Sequence, residues 1–150
     1  MSQKYSVNSK MQAKNSIILA LMMSLCSCSS IRTIKVEEKK EKEILVRVTT
    51  YSKKDDHFTR RGLTSTGAKL INKGSVAVDP AIIPYFSTVK IPEAGIEAIA
   101  NDTGSAVVSR KAAKQQGQDV PVVDLFFDKK KDAMYFADNN PMFMTAIISL

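Results

Sequence analysis

The 150 residues contain no tryptophan, one histidine (His57) and two cysteines, Cys26 and Cys28. A disulfide-stapled scaffold needs more cysteines at wider spacing, and a structural zinc site needs four Cys or His ligands. Neither framework is available to residues 29–150, where His57 is the sole candidate ligand of that kind. His57 is read as an exposed, idle side chain rather than a catalytic one. No apolar run reaches the roughly 20 residues a membrane-spanning helix needs. No repeat of fixed period is present, so solenoids and propellers are not expected. A clustered basic stripe is missing too, which argues against a nucleic-acid partner. Lys129-Lys130-Lys131 is short, is followed by Asp132, and reads as a solvated helix face.

What is present suits one soluble domain with extras. Hydrophobic residues make up 44% and charged residues 25%, both ordinary for a globular chain. The net charge of +7 is uneven, with +4 in residues 1–43 and +3 in residues 44–150. A mildly basic surface suits an anionic polymer such as a cell wall.

Lys4, Lys10 and Lys14 precede the apolar run at residues 17–25. That run is too short to span a bilayer but suits a signal-peptide core behind a basic leader, with the start at Met1 or Met11. Leu25-Cys26-Ser27-Cys28 resembles a bacterial lipobox. Small Ser27 makes Cys28 the acylated residue, whereas bulky Leu25 disfavours Cys26. The expected organisation is a signal peptide over 1–27, a charged tether over 28–43 and a folded domain over 44–150. Cys26 would leave with the signal and Cys28 would carry lipid, so the expected location is the cell envelope, anchored to a membrane. Ser29 is not an inner-membrane retention acid, which favours the outer membrane, facing the periplasm, in a two-membrane cell.

In the domain, Ile44-Leu45-Val46-Arg47-Val48-Thr49-Thr50-Tyr51 is β-branched and reads as a first strand. A polar loop follows over residues 52–64. Thr64-Ser65-Thr66-Gly67 is a hydroxyl-rich turn, with Thr66 placed to cap a short segment over 68–72. Val76-Ala77-Val78-Asp79 alternates, with Ser75, Ala77 and Asp79 on one face, and is stopped by Pro80. Short strands are also predicted at 87–92, at 96–101 and, strongly apolar, at 142–149. Residues 109–117 favour helix without an apolar face and read as a surface excursion. The strand at 120–127 puts Asp124 on the face of Val122 and Phe126, where a charge is costly unless paired or used. A helix at 130–137 turns Ala133, Met134, Phe136 and Ala137 to the core. Six or so short strands with one or two short helices predict a mainly β fold, a small barrel or sandwich.

Three aspartates therefore stand at or near strand ends: Asp79, Asp102 and Asp124. The series Val48-Thr49-Thr50-Tyr51, Thr64-Ser65-Thr66-Gly67, Val76-Ala77-Val78-Asp79-Pro80 with Ile83-Pro84, Asn101-Asp102-Thr103-Gly104 and Val123-Asp124-Leu125-Phe126-Phe127 resembles the three-aspartate (3D) domain family. Each motif alone is weak; five in order, across residues 45–150, are specific. The resemblance implies a six-stranded double-psi β-barrel similar to the catalytic core of membrane-bound lytic transglycosylase A, and more distantly to expansins. It implies cleavage of peptidoglycan glycan strands at the MurNAc–GlcNAc bond without water, giving a 1,6-anhydro-muramoyl end.

One carboxyl group can make both proton transfers of that reaction, first as acid and then as base. The family pattern gives this role to Asp124, with Asp102 and Asp79 as supporting carboxylates of one groove. It also implies sugar binding by Thr66, Gly67, Thr103 and Gly104. Tyr51 has two readings, a sugar-stacking face or core packing with its hydroxyl at the rim. No cofactor, metal or protein partner is implied, and a monomer is expected. Ser105 stands where the family has a second glycine, and residues 106–118 enlarge the link to the third aspartate. Two other functions compete: a non-catalytic wall-binding module, and a hydrolase using two of the aspartates with water.

Overall fold

Six short segments rich in apolar and β-branched residues form strands among the described residues, and their apolar faces close on one another. In the computed structural model, residues 40–53, 55 and 59–150 are described. The readings of the signal peptide, of Cys28, of the tether up to residue 39 and of His57 lie outside the described residues. Strands β1 (Glu41–Ser52), β2 (Ser75–Ala77), β3 (Thr88–Ile91), β4 (Ile96–Asp102), β5 (Val122–Phe127) and β6 (Phe143–Ser149) form a closed barrel in the order β1-β5-β2-β4-β3-β6. β6 returns to pair with β1, so no edge is left open. Among the described residues three α-helices accompany them: α1 (Ser105–Val108), α2 (Lys111–Lys114) and α3 (Lys130–Asn139).

The topology is doubly crossed. β5 runs parallel to β1 and antiparallel to β2, so the β1–β2 connection hops over β5. β2 runs parallel to β4, so the β4–β5 connection hops over β2. Each hop passes over a strand belonging to the other, giving the two interlocked psi loops of the expected barrel.

The interior follows the period of two. Val46, Val48, Val76, Val78, Val89, Ile91, Ala98, Ala100, Val123, Leu125, Phe127, Met144, Ala146 and Ile148 pack into one buried core. Each large aliphatic or aromatic side chain so buried is worth about 1.5–3 kcal/mol. α3 packs against this core through Phe136, whose ring lies 5.4 Å from that of Phe127. The same alternation sends Thr49, Ala77 and Asp124 to the outer face.

Several elements differ from expectation. β1 starts at Glu41, not at residue 44, because the backbone of Glu41, Lys42 and Glu43 pairs with Ser149, Ile148 and Ile147. A ladder needs only backbone groups, so a charged run can extend it. β5 starts at Val122, past Pro121, which cannot donate to a ladder. β2 ends at Ala77, two residues before Asp79. Only Ala133 and Phe136 of α3 are buried; Met134 and Ala137 are exposed, since a three-residue spacing shows the barrel a narrow stripe.

Within 109–117 only Lys111–Lys114 is helical, and Ser105–Val108 forms a further helix before it, so three helices are described instead of one or two. This stretch also has a buried side: Val107 and Ala113 pack with Ala77 and Val122, and Tyr51, Ala112 and Val120 close over them. Ala113, in a segment read as having no apolar face, is fully buried. Residues 68–72 form no capped segment; Leu63 pairs with Lys69 as an isolated bridge.

Candidate functional site

The outer face of four neighbouring strands carries one row of residues. Thr49 on β1 is in register with Asp124 on β5, Asp124 with Ala77 on β2, and Ala77 with Asp102 on β4. Two strand widths, about 10 Å between Cα atoms, therefore separate the aspartates. Ala77 has only a methyl group, which leaves a hollow between them. The hollow belongs to a pocket of about 600 Å³ lined by Asp102, Asp124, Tyr51, Ala77, Thr103 and Val107, among others. Two other hollows, of about 300 and 500 Å³, bring no pair of carboxylates together.

The two aspartates sit in opposite environments. Asp102 is buried and saturated with donors. Its Oδ1 accepts from the backbone N–H of Ser65 at 2.8 Å and of Thr103 at 2.9 Å, and its Oδ2 from the Tyr51 hydroxyl at 2.8 Å. Asp124 has one described donor, the Thr49 hydroxyl, at 2.7 Å from Oδ1. Its carboxyl is pushed up to about 6, first by burial; the Thr49 hydrogen bond pulls it down, and the charges of Asp55 and Asp102 push it up further. A carboxyl poised near 6 can hold a proton and give it up close to neutral pH.

Asp55 is a carboxylate that sequence reasoning missed. Its Oδ2 accepts from the Ser52 N–H at 2.6 Å and hydroxyl at 2.9 Å, and its Oδ1 lies 3.2 Å from Lys130 Nζ. Burial alone would raise its pKa, but the Ser52 hydrogen bonds and Lys130 together hold it below the ordinary value. It stays charged, and its charge reaches Asp124.

Asp79 is placed differently from the expected groove. It is not among the residues lining the pocket. Its Oδ1 accepts from the Ala81 N–H at 3.0 Å, and its carbonyl accepts from Ile82 and Ile83 at 3.0 and 2.9 Å. This is the Asp-Pro turn reading, in which the side chain mimics a backbone turn. The structure thus brings Asp102 and Asp124 together with Asp55 nearby, and not with Asp79.

The smaller site residues divide likewise. Thr103 and Gly104 line the pocket, and the Thr103 hydroxyl ties it to the residue just past β2 by donating to Val78 O at 2.7 Å. Thr66 and Gly67 lie outside it. Thr66 donates to Asn101 O at 2.8 Å, and the Gly67 N–H to Thr64 O at 2.9 Å. Gly67 has φ +82°, a left-handed conformation that suits glycine, and this turn is what aims the Ser65 N–H at Asp102. Ser105 needs no glycine conformation, because it is the first residue of α1 and has negative φ. Tyr51 lines the pocket, but its ring packs on Phe126 at 5.3 Å between centroids and its hydroxyl is engaged by Asp102.

Thr49, Ser65, Asp55 and Arg61 complete the site and were not singled out from sequence. Thr49 becomes visible only through the parallel register of β1 and β5, and Ser65 acts through its backbone. Among the described residues no group of three or more His, Cys, Asp or Glu side chains is arranged to hold a metal ion. No described helix is long and apolar enough to cross a membrane. Comparison with models of known protein families finds no match, and comparison with curated proteins finds none.

Proposed function

We propose that the chain is a peptidoglycan lytic transglycosylase of the three-aspartate type, acting as a lipoprotein of the cell envelope through Cys28. Asp124 is its single acid and base. The observation that carries this reading is the contrast between the two carboxyl groups. Asp124 sits near 6 with one described donor, whereas both oxygens of Asp102 are taken by three donors. A glycosidase that uses water needs a second carboxylate able to activate it or to attack the sugar. An Asp102 whose two oxygens are both engaged by protein donors is poorly placed for either task. A reaction needing one proton shuttle fits better. Asp124 protonates the glycosidic oxygen as the bond to the muramoyl C1 breaks, then takes the proton of the C6 hydroxyl as that oxygen closes on C1. The proton count balances, and no water is consumed. Asp102 stands beside the cationic transition state as a fixed polar partner.

The test is digestion of purified peptidoglycan with products read by mass spectrometry. Anhydro-muramoyl ends, lost in Asp124→Asn, are the expected outcome. Reducing ends would point to hydrolysis. Binding without new ends would point to the second reading, a wall-binding module.

A further inference from the structure

The pocket contains one basic residue, Arg61, among those that line it. Arg61 ends the 3-10 turn Thr59–Arg61, in which the Gly62 N–H donates to Thr59 O at 3.0 Å. Thr59 is buried, and the Gly62 carbonyl accepts from Leu70 N at 2.9 Å, so the turn is tied on both sides. The arginine is therefore held at the rim rather than carried on a loose tip.

Its charge has no acidic partner among the described residues. The ion pairs there join Lys53 to Asp128, Arg110 to Asp119 and Lys130 to Asp55. Arg47 spends its guanidinium on the carbonyls of Val48 and Met142. No described ion pair joins Arg61 to either aspartate of its own pocket, and the charges acting on Asp124 are those of Asp55 and Asp102. An unpaired guanidinium thus shares a pocket with two carboxylates without neutralising either. The pocket offers an anion one cationic partner beside its two carboxylates.

We propose that Arg61 is a specificity residue that takes a carboxylate of a glycan substrate bound in the pocket of Asp102 and Asp124. The inference rests on the glycan-cleaving reading and deepens it. A guanidinium fork matches a carboxylate with two parallel hydrogen bonds, which a neutral hydroxyl cannot reproduce. The carboxylate has two possible sources, the lactyl ether of a muramoyl sugar stripped of peptide, or a peptide still attached to it.

The test uses the full chain carrying Asp124→Asn, so that ligands survive, and calorimetric titration with three glycans. These are peptide-free muramoyl glycan, peptide-bearing glycan and a neutral N-acetylglucosamine oligomer of equal length. The expected result is a preference for at least one acidic glycan over the neutral one. Adding Arg61→Gln shrinks that preference by roughly tenfold, and Arg61→Lys shrinks it less. Which acidic glycan responds identifies the source of the carboxylate. Arg61 is exposed, so its substitution leaves the barrel intact. An unchanged preference in Arg61→Gln overturns the inference and leaves the glycan reading standing. Failure of the chain to bind any of the three overturns both.

Discussion

Asp124 costs the fold stability in return for its chemistry. Its pKa is raised from an ordinary value near 4 to about 6, chiefly by burial. A raised carboxyl binds its proton more tightly in the folded state. Above pH 6 it is ionised in both states and the fold carries the cost of a buried charge. As pH falls from 6 towards 4 the folded state takes up the proton first, and the cost disappears. Two units correspond to about 3 kcal/mol. Asp124→Asn is therefore expected to raise the unfolding midpoint in urea at pH 7.5 and to leave it nearly unchanged at pH 4, while abolishing turnover. Equal stability of the two proteins at pH 7.5 would refute a strained Asp124. The same residue sets the pH profile. Catalysis needing the protonated acid falls as pH rises through about 6. Thr49→Val removes the hydrogen bond that lowers the pKa, so the falling limb of kcat/KM moves to higher pH. Asp55→Asn removes a charge that raises it, so the limb moves to lower pH. Opposite shifts from two residues on different sides of one carboxyl are hard to obtain from general loss of structure.

Among the elements, the turn at Thr64 to Gly67 and the two short helices show what sequence could and could not give. The alternation of apolar residues in β2, β4 and β5 correctly told inside from outside, and put Asp124 with Val122 and Phe126. Which outward residues meet across strands was not legible, because it depends on register. Asp102 and Asp124 share a pocket since both flank Ala77; Asp79 misses it since β2 ends two residues earlier and the chain turns. Likewise the polar excursion hid its docking side in single small residues, Val107 and Ala113, which carry no periodic signal in so short a segment. Ala113→Asp places a charge in that contact. It is expected to speed amide hydrogen exchange across residues 105–118 while the barrel strands keep their protection. Tyr51→Phe leaves one oxygen of buried Asp102 without its described donor. It is expected to cost about 1–2 kcal/mol in urea unfolding at pH 7, with the barrel retained.

For the whole molecule, closure is the dominant fact, and it reaches further along the chain than the apolar pattern does. The extra turn of the ladder at Glu41, Lys42 and Glu43 covers the backbone of Ile147, Ile148 and Ser149. A chain beginning at residue 44 would leave that part of β6 as an apolar edge on one side. Such a chain is expected to self-associate in sedimentation experiments where a chain beginning at residue 38 does not. The charged composition of residues 37–43 reads as solvent-loving tether, and only the barrel's demand for a partner along β6 recruits part of it. Closure has a consequence for the site as well. The two aspartates stand on either side of a single intervening strand, so their separation is quantised. No substitution in a loop can bring them gradually closer, because the ladder permits steps of one strand width and nothing between. What remains adjustable is depth, set by the side chain at Ala77. A lineage built on this barrel would thus vary its substrates by raising or lowering the floor under a fixed span.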